Sequence, residues 1–183
     1  MSFILKILPF IALLLFGCNQ QKDFIQVESP NEEINVQIRK QKNNFIYNVN
    51  FKGKRIILNS KIGLIFKNGF EFPSHHNLKK VEKGFHKDTW ELPWGEKKIV
   101  KDTYNEIIIS FINTNNLEAG RMLFRAYDDG IAFRYQMNDN NKNQDSLIII
   151  NEITEFNLSE DAQTWWTPAY KENRYEYPYQ KSK

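Results

Sequence analysis

The last twenty residues combine side chains that suit the binding of a sugar or a metal ion. The stretch TWWTPAYKENRYEYPYQKSK (164–183) holds two tryptophans, four tyrosines and two glutamates. Aromatic rings stack on apolar ligand faces, and carboxylates supply the hard oxygens that Ca²⁺ prefers. Glu176, between Tyr175 and Tyr177, is either a calcium ligand or a solvated acid on a strand edge. One acid cannot supply the six to eight oxygens of a calcium site, so composition alone favours the solvated acid.

Further candidates for binding a ligand are aromatic or basic. In HKDTWELPWGE (86–96), two tryptophans lie four positions apart among acids and a histidine. They could present flat rings to a sugar, but aromatic side chains more often pack than bind. From the residues alone, core or loop-anchoring tryptophans with a turn at Pro93 and Gly95 are the favoured interpretation. The weak candidates for saccharide contact in the whole chain are Trp90, Trp94, Trp165, Trp166 and Arg174.

Histidine spacing and net charge exclude other classes of site. His75 and His76 are adjacent and would point to opposite faces of a strand, while His86 stands alone. A zinc site needs more nitrogen or sulfur ligands than these, so all three are predicted to be surface or loop histidines. The formal net charge is only +3. Lysine and arginine are spread along the chain rather than clustered, so no nucleic-acid partner is expected.

The N-terminus has the pattern of an export signal. MSFILKILPFIALLLFGC (1–18) has one early charge, Lys6, and then an apolar run that is too short to span a bilayer. It ends in LLFGC, which resembles the lipobox of bacterial lipoproteins, and Cys18 is the only cysteine. We predict a lipoprotein signal peptide over 1–17, acylation of Cys18, and a polar tether over 18–23. The alternative is a simple signal peptide with an incidental cysteine.

From Phe24 onward the dominant period is two, which is typical of half-buried strands. EINVQIRK (33–40) and NFIYNVNF (44–51) are joined by a short polar stretch and predict a hairpin, with the next turn at KGK (52–54). RMLFRAYDDGIAFRYQM (121–137) predicts another hairpin, in which Gly130 is expected to take a positive φ. Residues 70–104 lose the alternation and predict one strand within long loops. With about eight strands and no amphipathic helix, residues 24–183 predict one all-β sandwich domain.

Four motifs occur in one order: DTWELPWGEKKIVKDTYNE, FRAYDDGIAFRY, ITEFNL and TWWTPAYKENRYEYPY. This series resembles the N-terminal domain of the family 97 glycoside hydrolases, bacterial exo-acting α-glucosidases and α-galactosidases. The opening VESPNEEINVQI and the strand KIGLIF fit the same domain, so the resemblance runs from about Val27 to Tyr179.

The resemblance implies a β-super-sandwich similar to the galactose-mutarotase fold, followed in the family by a catalytic (β/α)₈ barrel and a small C-terminal β domain. It implies a calcium-dependent enzyme that hydrolyses terminal α-linked residues with catalytic carboxyl groups on the barrel. The glutamate of the YEY motif in the N-terminal domain reaches across to the calcium. The glutamate at that position of the motif in this chain is Glu176, so the resemblance favours Glu176 as a calcium ligand.

The expected function follows from this division. Glycoside hydrolysis needs two carboxyl groups across the scissile bond, and the chain is too short to hold the barrel that carries them. We therefore expect an incomplete sandwich from a truncated or split enzyme, with no catalytic residue of its own and inactive alone. Its expected partners are an α-linked oligosaccharide, the missing barrel domain and, through the lipid, a membrane of the bacterial cell envelope. The alternative is an autonomous lipid-anchored carbohydrate-binding module. A mutarotase rests on fold analogy alone.

Overall fold

The computed structural model describes residues 24–138, 146–168 and 178–182, and this part of the chain consists of strands and connections. It contains no helix that is long and apolar enough to cross a membrane. The predicted signal peptide and tether, Cys18, Arg174 and Glu176 lie outside the described residues. The strands are β1 (Ile25–Glu28), β2 (Ile34–Gln41), β3 (Asn44–Phe51), β4 (Lys54–Ile62), β5 (Leu64–Phe66), β6 (Glu71–Phe72), β7 (Asn77–Glu91), β8 (Ile99–Ile112), β9 (Glu118–Ala126), β10 (Ile131–Met137), β11 (Ile149–Glu152), β12 (Thr164–Trp166) and β13 (Gln180–Ser182).

Two four-stranded antiparallel sheets form the body of the protein, which confirms the predicted all-β class. The first sheet has the order β1-β2-β3-β4 and the second the order β10-β9-β8-β7. A three-stranded sheet, β11-β5-β6, and a two-stranded ribbon, β12-β13, complete the described strands. All pairings between neighbouring strands are antiparallel.

The core lies between the two large sheets and follows the predicted alternation. On β2 the buried residues are Ile34, Val36 and Ile38, while the residues between them are only partly buried. Rings from the two sheets meet edge to face, as where Phe45 lies 5.0 Å from Phe111 between centroids. Burial of such apolar area is the main favourable term in folding, and here it requires both sheets.

Tyr47 lies at the centre of this core and is completely buried. Its ring contacts Phe124, Phe133 and Phe156 at centroid distances of 6.3, 6.0 and 6.3 Å. Its hydroxyl donates a 2.8 Å hydrogen bond to the carbonyl oxygen of Glu155. Burial raises the pKa of Tyr47 to about 12, so the hydroxyl remains a donor at physiological pH.

The predicted hairpins are present, but one turn differs from the prediction. Lys52 and Gly53 join β3 to β4 with φ of 50° and 78°, the two positive values of a two-residue hairpin turn. The β9–β10 hairpin is confirmed with Ala126 opposite Ile131. However, Gly130 is not among the residues with positive φ. Four residues connect these strands, with the Tyr127 amide donating to the Gly130 carbonyl, and such longer loops do not need a left-handed glycine.

The prediction of loops over residues 70–104 is wrong for most of that range. Strands β7 and β8 are 15 and 14 residues long and pair from Asn77–Ile112 to Glu91–Ile99. Strand β9 pairs with β8 only from Asn105 onward, so residues 86–104 form a two-stranded extension, here called the β7–β8 arm. Most residues of the arm are exposed on both faces. A strand alternates between apolar and polar residues when only one of its faces is buried. Little of the β7–β8 arm is buried, so its sequence does not alternate.

A carboxylate shared by two cations ties β9 to β7. Glu118 accepts a hydrogen bond from Arg121 at 2.7 Å and one from Lys79 at 3.1 Å. These bonds, the Arg121 bond first, lower the pKa of Glu118 from 4.5 to about 2. Only 19% of the Glu118 side chain is exposed, so solvent screens the interaction less than at an open surface pair.

The Glu118 carboxylate should therefore make stability depend on pH in the acid range. Because its pKa is lower in the folded state, its contribution is complete above about pH 4.5 and is lost as the pH falls towards 2. We expect Glu118→Gln to lower the free energy of unfolding by on the order of 2 kcal/mol at pH 6 and by little at pH 2. The measurement is urea unfolding across this range. Glu82→Gln, which removes the more exposed pair with Lys80, is the matched control, and equal effects of both variants at every pH would contradict the prediction.

Candidate functional site

The C-terminal ribbon places two predicted aromatic candidates in solvent. Strands β12 and β13 pair Thr164 with Ser182 and Trp166 with Gln180. The Trp166 indole N–H donates to the Ser182 hydroxyl at 3.1 Å, and the Lys181 ammonium lies 5.2 Å from the centre of the Trp165 ring. The two indoles remain 61% and 43% exposed. The hydrogen bond fixes one ring while leaving both available to a ligand.

The ribbon also brings together the two ends of the tyrosine-rich stretch that contains Glu172 and Glu176. Its strands separate after Trp166 and meet again at Gln180, so residues 167–179 form the connection. Tyr179, at one end of it, is 71% exposed. Arg174 and Glu176 belong to this connection but lie outside the described residues, so their roles stay predictions.

The segment that leads to the ribbon, residues 153–159, is hydrogen-bonded to the first sheet. The Leu58 and Ser159 amides donate to the carbonyls of Asn157 and Ile56 at 2.7 and 3.1 Å. The Asn157 amide donates to the Ser60 hydroxyl at 2.9 Å. At Glu155, the carboxylate accepts from the Lys61 amide at 3.1 Å and pairs with its ammonium at 3.2 Å. The Lys61 amide, the largest contributor, lowers the pKa of Glu155.

The other tryptophan pair lies at the end of the β7–β8 arm. Trp94 is 85% exposed and Trp90 46%, so the interpretation of these residues as core is wrong. The predicted turn is present, with Gly95 at φ 116° and the Leu92 amide donating to the Lys98 carbonyl. Among the described residues, no ring contact joins this pair to Trp165 or Trp166.

The three histidines lie in different environments, and His76 is buried rather than on the surface as predicted. His75 is exposed, with φ 63°. His76 is only 6% exposed; its Nδ1 lies 2.7 Å from the Ser74 carbonyl oxygen, and its ring packs against Phe70 and Phe72. Adjacent residues in a turn need not share an environment, so the sequence does not reveal that this histidine is buried.

His86 is also not a loop residue. It belongs to β7, is partly buried, and stacks on Tyr104 at 4.8 Å, with its Nε2 3.5 Å from an oxygen of Asp102. Within the three described ranges, no group of three or more histidine, cysteine, aspartate or glutamate side chains could hold a metal ion. The described carboxylates therefore do not cluster into a calcium site, and Glu176, as one acid, would need further oxygens to hold the ion.

A groove of about 340 Å³ that the sequence did not indicate lies between β1 and the base of the arm. The inner face of the second sheet contributes Lys83, Phe85 and Asn105, and β1 contributes Gln26 and Glu28. The Asn105 amide spans the groove's two sides by donating to the Glu28 carbonyl at 2.7 Å. These residues are far apart in sequence and lack a common motif, so only the pairing of strands shows their proximity.

Glu28 and Glu106 contribute to the lining of this groove, but the Glu106 side chain projects from the opposite face of β8 to Asn105, and both carboxylates are engaged. Glu28 accepts from the Asn35 side-chain amide at 2.8 Å. Glu106 accepts from the Arg125 guanidinium at 2.7 Å, and this ion pair raises the pKa of Arg125. The Arg125 guanidinium also lies 4.2 Å from the centre of the Tyr104 ring, which fixes it in place. A glycosidase needs a free proton-donating acid opposite a second carboxylate, and neither glutamate is free.

The comparisons with known proteins agree with this fold. A family model described as glycosyl-hydrolase 97 N-terminal matches residues 27–183. A glycoside hydrolase family 97 enzyme from Pseudoalteromonas sp. strain K8, solved with acarbose, is 32% identical over 86% of this chain, with a TM-score of 0.76. A variant family 97 enzyme from the same strain, solved with panose, matches with the same identity, coverage and TM-score.

A more distant match shows the fold alone. A β-arabinopyranosidase superimposes with a TM-score of 0.66 and 20% identity over 77% of this chain. This chain spans about a quarter of the length of the Pseudoalteromonas enzymes, 24% in each case. The matched family model and the shared sandwich place the chain in one family. It belongs to glycoside hydrolase family 97, whose N-terminal β-sandwich portion it represents.

Proposed function

We propose that this chain is the saccharide-facing sandwich of an exo-acting α-glucosidase or α-galactosidase, and that it completes the active site without carrying the catalytic carboxyl groups. The supporting observation is the β12–β13 ribbon. It holds Trp165, Trp166 and Tyr179 in solvent at the two ends of the connection that contains Arg174 and Glu176. Exposed aromatic rings beside polar groups are suited to sugars, whose C–H faces pack on rings while hydroxyls form hydrogen bonds. The family 97 enzymes solved with acarbose and panose are saccharide complexes.

The proposal assigns positioning to the sandwich and bond cleavage to another part of the enzyme. Hydrolysis of a glycosidic bond needs an acid and a base or nucleophile on a rigid frame. Barrel enzymes carry such groups at the C-terminal ends of barrel strands, and the described residues of this chain are strands of antiparallel sheets. The chain therefore acts by binding and orienting the sugar, which lowers the barrier by restricting the reactants.

Glu176 is the residue of this chain that we propose as a calcium ligand. We place this carboxylate among the ligands of a Ca²⁺ ion whose other oxygens come from the catalytic part of the enzyme and from water. When bound, such an ion supplies positive charge near the sugar and orients its hydroxyl oxygens. The fastened segment 153–159 and the hydrogen-bonded ribbon hold the start of the connection that carries Glu176.

The cellular location follows from the N-terminal pattern. We propose that the chain is exported and held in the bacterial cell envelope, periplasmic or surface-exposed, by lipid on Cys18. A single acyl chain binds a membrane only weakly, so stable anchoring requires the additional chains of a lipoprotein N-terminus. The polar tether would separate the lipid from the sandwich.

The purified chain should bind panose without cleaving it. We expect panose to shift the indole N–H resonances of Trp165 and Trp166 in an NMR titration. Replacing both residues by alanine should weaken binding at the ribbon about tenfold, since ring stacking contributes on the order of 1 kcal/mol. Trp94→Ala, which removes an even more exposed ring on the arm, is the matched control.

Release of glucose from panose by the chain alone would show that catalytic carboxyl groups lie within it. Binding without any separate catalytic polypeptide in the cell would favour the autonomous binding module.

Calcium binding by the chain alone should be weak and should depend on Glu176. Because most ligands are water in the isolated chain, we expect a Kd of about 1 mM or weaker. Terbium, which replaces calcium and is sensitised by nearby aromatic rings, provides the measurement. Luminescence should fall in Glu176→Gln and persist in Glu172→Gln. Micromolar calcium affinity that Glu176→Gln abolishes would mean that this chain builds the whole site, and unchanged luminescence would remove Glu176 from it.

Cys18 should carry lipid. In a bacterial host fed an alkyne-labelled fatty acid, the chain should acquire the label and sediment with membranes. Cys18→Ser should lose both properties because it lacks the thiol that is acylated. An unlabelled parent chain would support the simple signal peptide instead.

A further inference from the structure

We propose that the groove between β1 and the base of the β7–β8 arm is a second saccharide site, which holds one or two neutral pyranose rings against Phe85. No described residue of the β12–β13 ribbon lines this groove. The inference rests on the proposed function, because it takes the ligand class from the saccharides that the enzyme handles.

The groove arises because the two sheets are offset. Strand β1 is the edge of the first sheet and lies over β8 and β9 rather than over β7. The inner face of β7, which would otherwise be core, is therefore uncovered at Lys83 and Phe85. The β1 edge forms one wall, and the uncovered face of β7 and β8 forms the floor.

Phe85 provides an aromatic surface within this groove. It is 63% exposed although it lies on the same face as the buried Ile107, and its cross-strand partner is Asn105. The C–H face of a pyranose can pack on such a ring, and the neighbouring amide can meet the hydroxyls at its edge. A singly exposed phenylalanine needs no explanation by itself. Phe85 differs from such an isolated ring because polar groups surround it.

Those polar groups include donors that the fold does not use. Across the described residues, neither the Gln26 side-chain amide nor the Lys83 ammonium has a hydrogen-bond or ion-pair partner. The Asn105 amide is oriented by its bond to the Glu28 carbonyl, so its own side-chain oxygen is available as an acceptor. Sugar hydroxyls both donate and accept, and they can satisfy such a mixed set.

The charge and the volume of the groove restrict the class of ligand that it can bind. The lining contains one positive residue, Lys83, and one negative residue on β1, Glu28, while Glu106 pairs with Arg125 on the opposite face of β8. A groove without net charge favours a neutral ligand over a phosphate, a uronate or a cation. Its volume of about 340 Å³ is at the lower end of the range of small-molecule sites. One or two pyranose rings suit this volume.

One NMR titration of the full chain with panose can test the groove separately from the ribbon. The side-chain amide resonances of Gln26 and Asn105 report on the groove, and the indole resonances of Trp165 and Trp166 report on the ribbon. We expect both sets to shift in a saturable way. Phe85→Ala should weaken the groove response at least fivefold, whereas Phe85→Tyr should preserve it. Trp94→Ala, at the end of the same arm, should leave it unchanged.

The outcomes distinguish the two proposals. If only the indole resonances shift, or if Phe85→Ala leaves the groove response intact, the second site is wrong and the proposed function stands. If panose shifts neither set, both proposals are overturned. A groove response that is stronger for galacturonate than for panose would also contradict the assignment of a neutral ligand. Amide spectra of each variant show whether the sandwich remains folded.

Discussion

The hydrogen bond from the Tyr47 hydroxyl to the Glu155 carbonyl connects the centre of the core to the segment that leads to the ribbon. Tyr47 has no exposed surface, and its ring packs against Phe124 and Phe133 of the second sheet and Phe156 of the segment itself. A buried hydroxyl without its acceptor costs about 1–3 kcal/mol. The core is therefore satisfied only when residues 153–159 follow this path, so packing inside the sandwich determines where the C-terminal ribbon begins.

An irregularity in the first sheet makes room for that path. The β3–β4 register shifts between Tyr47 and Val49, and such bulges redirect the strand that contains them. Next to this irregularity, β4 contacts the segment at two residues. Ile57 forms an isolated bridge with Leu158, and the Ser60 hydroxyl accepts a hydrogen bond from the Asn157 amide. The same segment contributes Thr154, whose hydroxyl is 2.9 Å from the Tyr135 hydroxyl of the second sheet. One short stretch thus contacts both layers, which explains how a motif as plain as ITEFNL can be structurally demanding.

Alternation in the sequence predicts the strands that are buried on one side and misses those that are not. It succeeds for β2 and for the β9–β10 hairpin because each has one face in the core. It fails for β7 and most of the arm, where both faces meet solvent. It also cannot place His76, whose burial depends on Phe70 and Phe72. The aromatic residues of the ribbon can be recognised from the composition of the sequence, whereas Glu176 can be recognised only through the family motif. The groove is not visible at all, because Gln26 and Asn105 meet through the offset of two sheets.

Among the described strands, β1 and β7 are edges of the two large sheets, and the composition of β7 indicates what its edge accepts. Strand β7 has lysines at positions 79, 80, 83 and 87. Charged side chains on an edge strand, lysine above all, discourage the addition of a further strand because pairing would bring them close to another chain and remove their water. Lys79 and Lys80 are already paired with Glu118 and Glu82, whereas Lys83 faces the groove. The β7 edge is thus protected against strand addition while its uncovered inner face stays open. A small hydroxyl-rich ligand can hydrogen-bond to that ammonium without stripping all of its water. The groove is therefore better suited to a sugar than to an extended peptide.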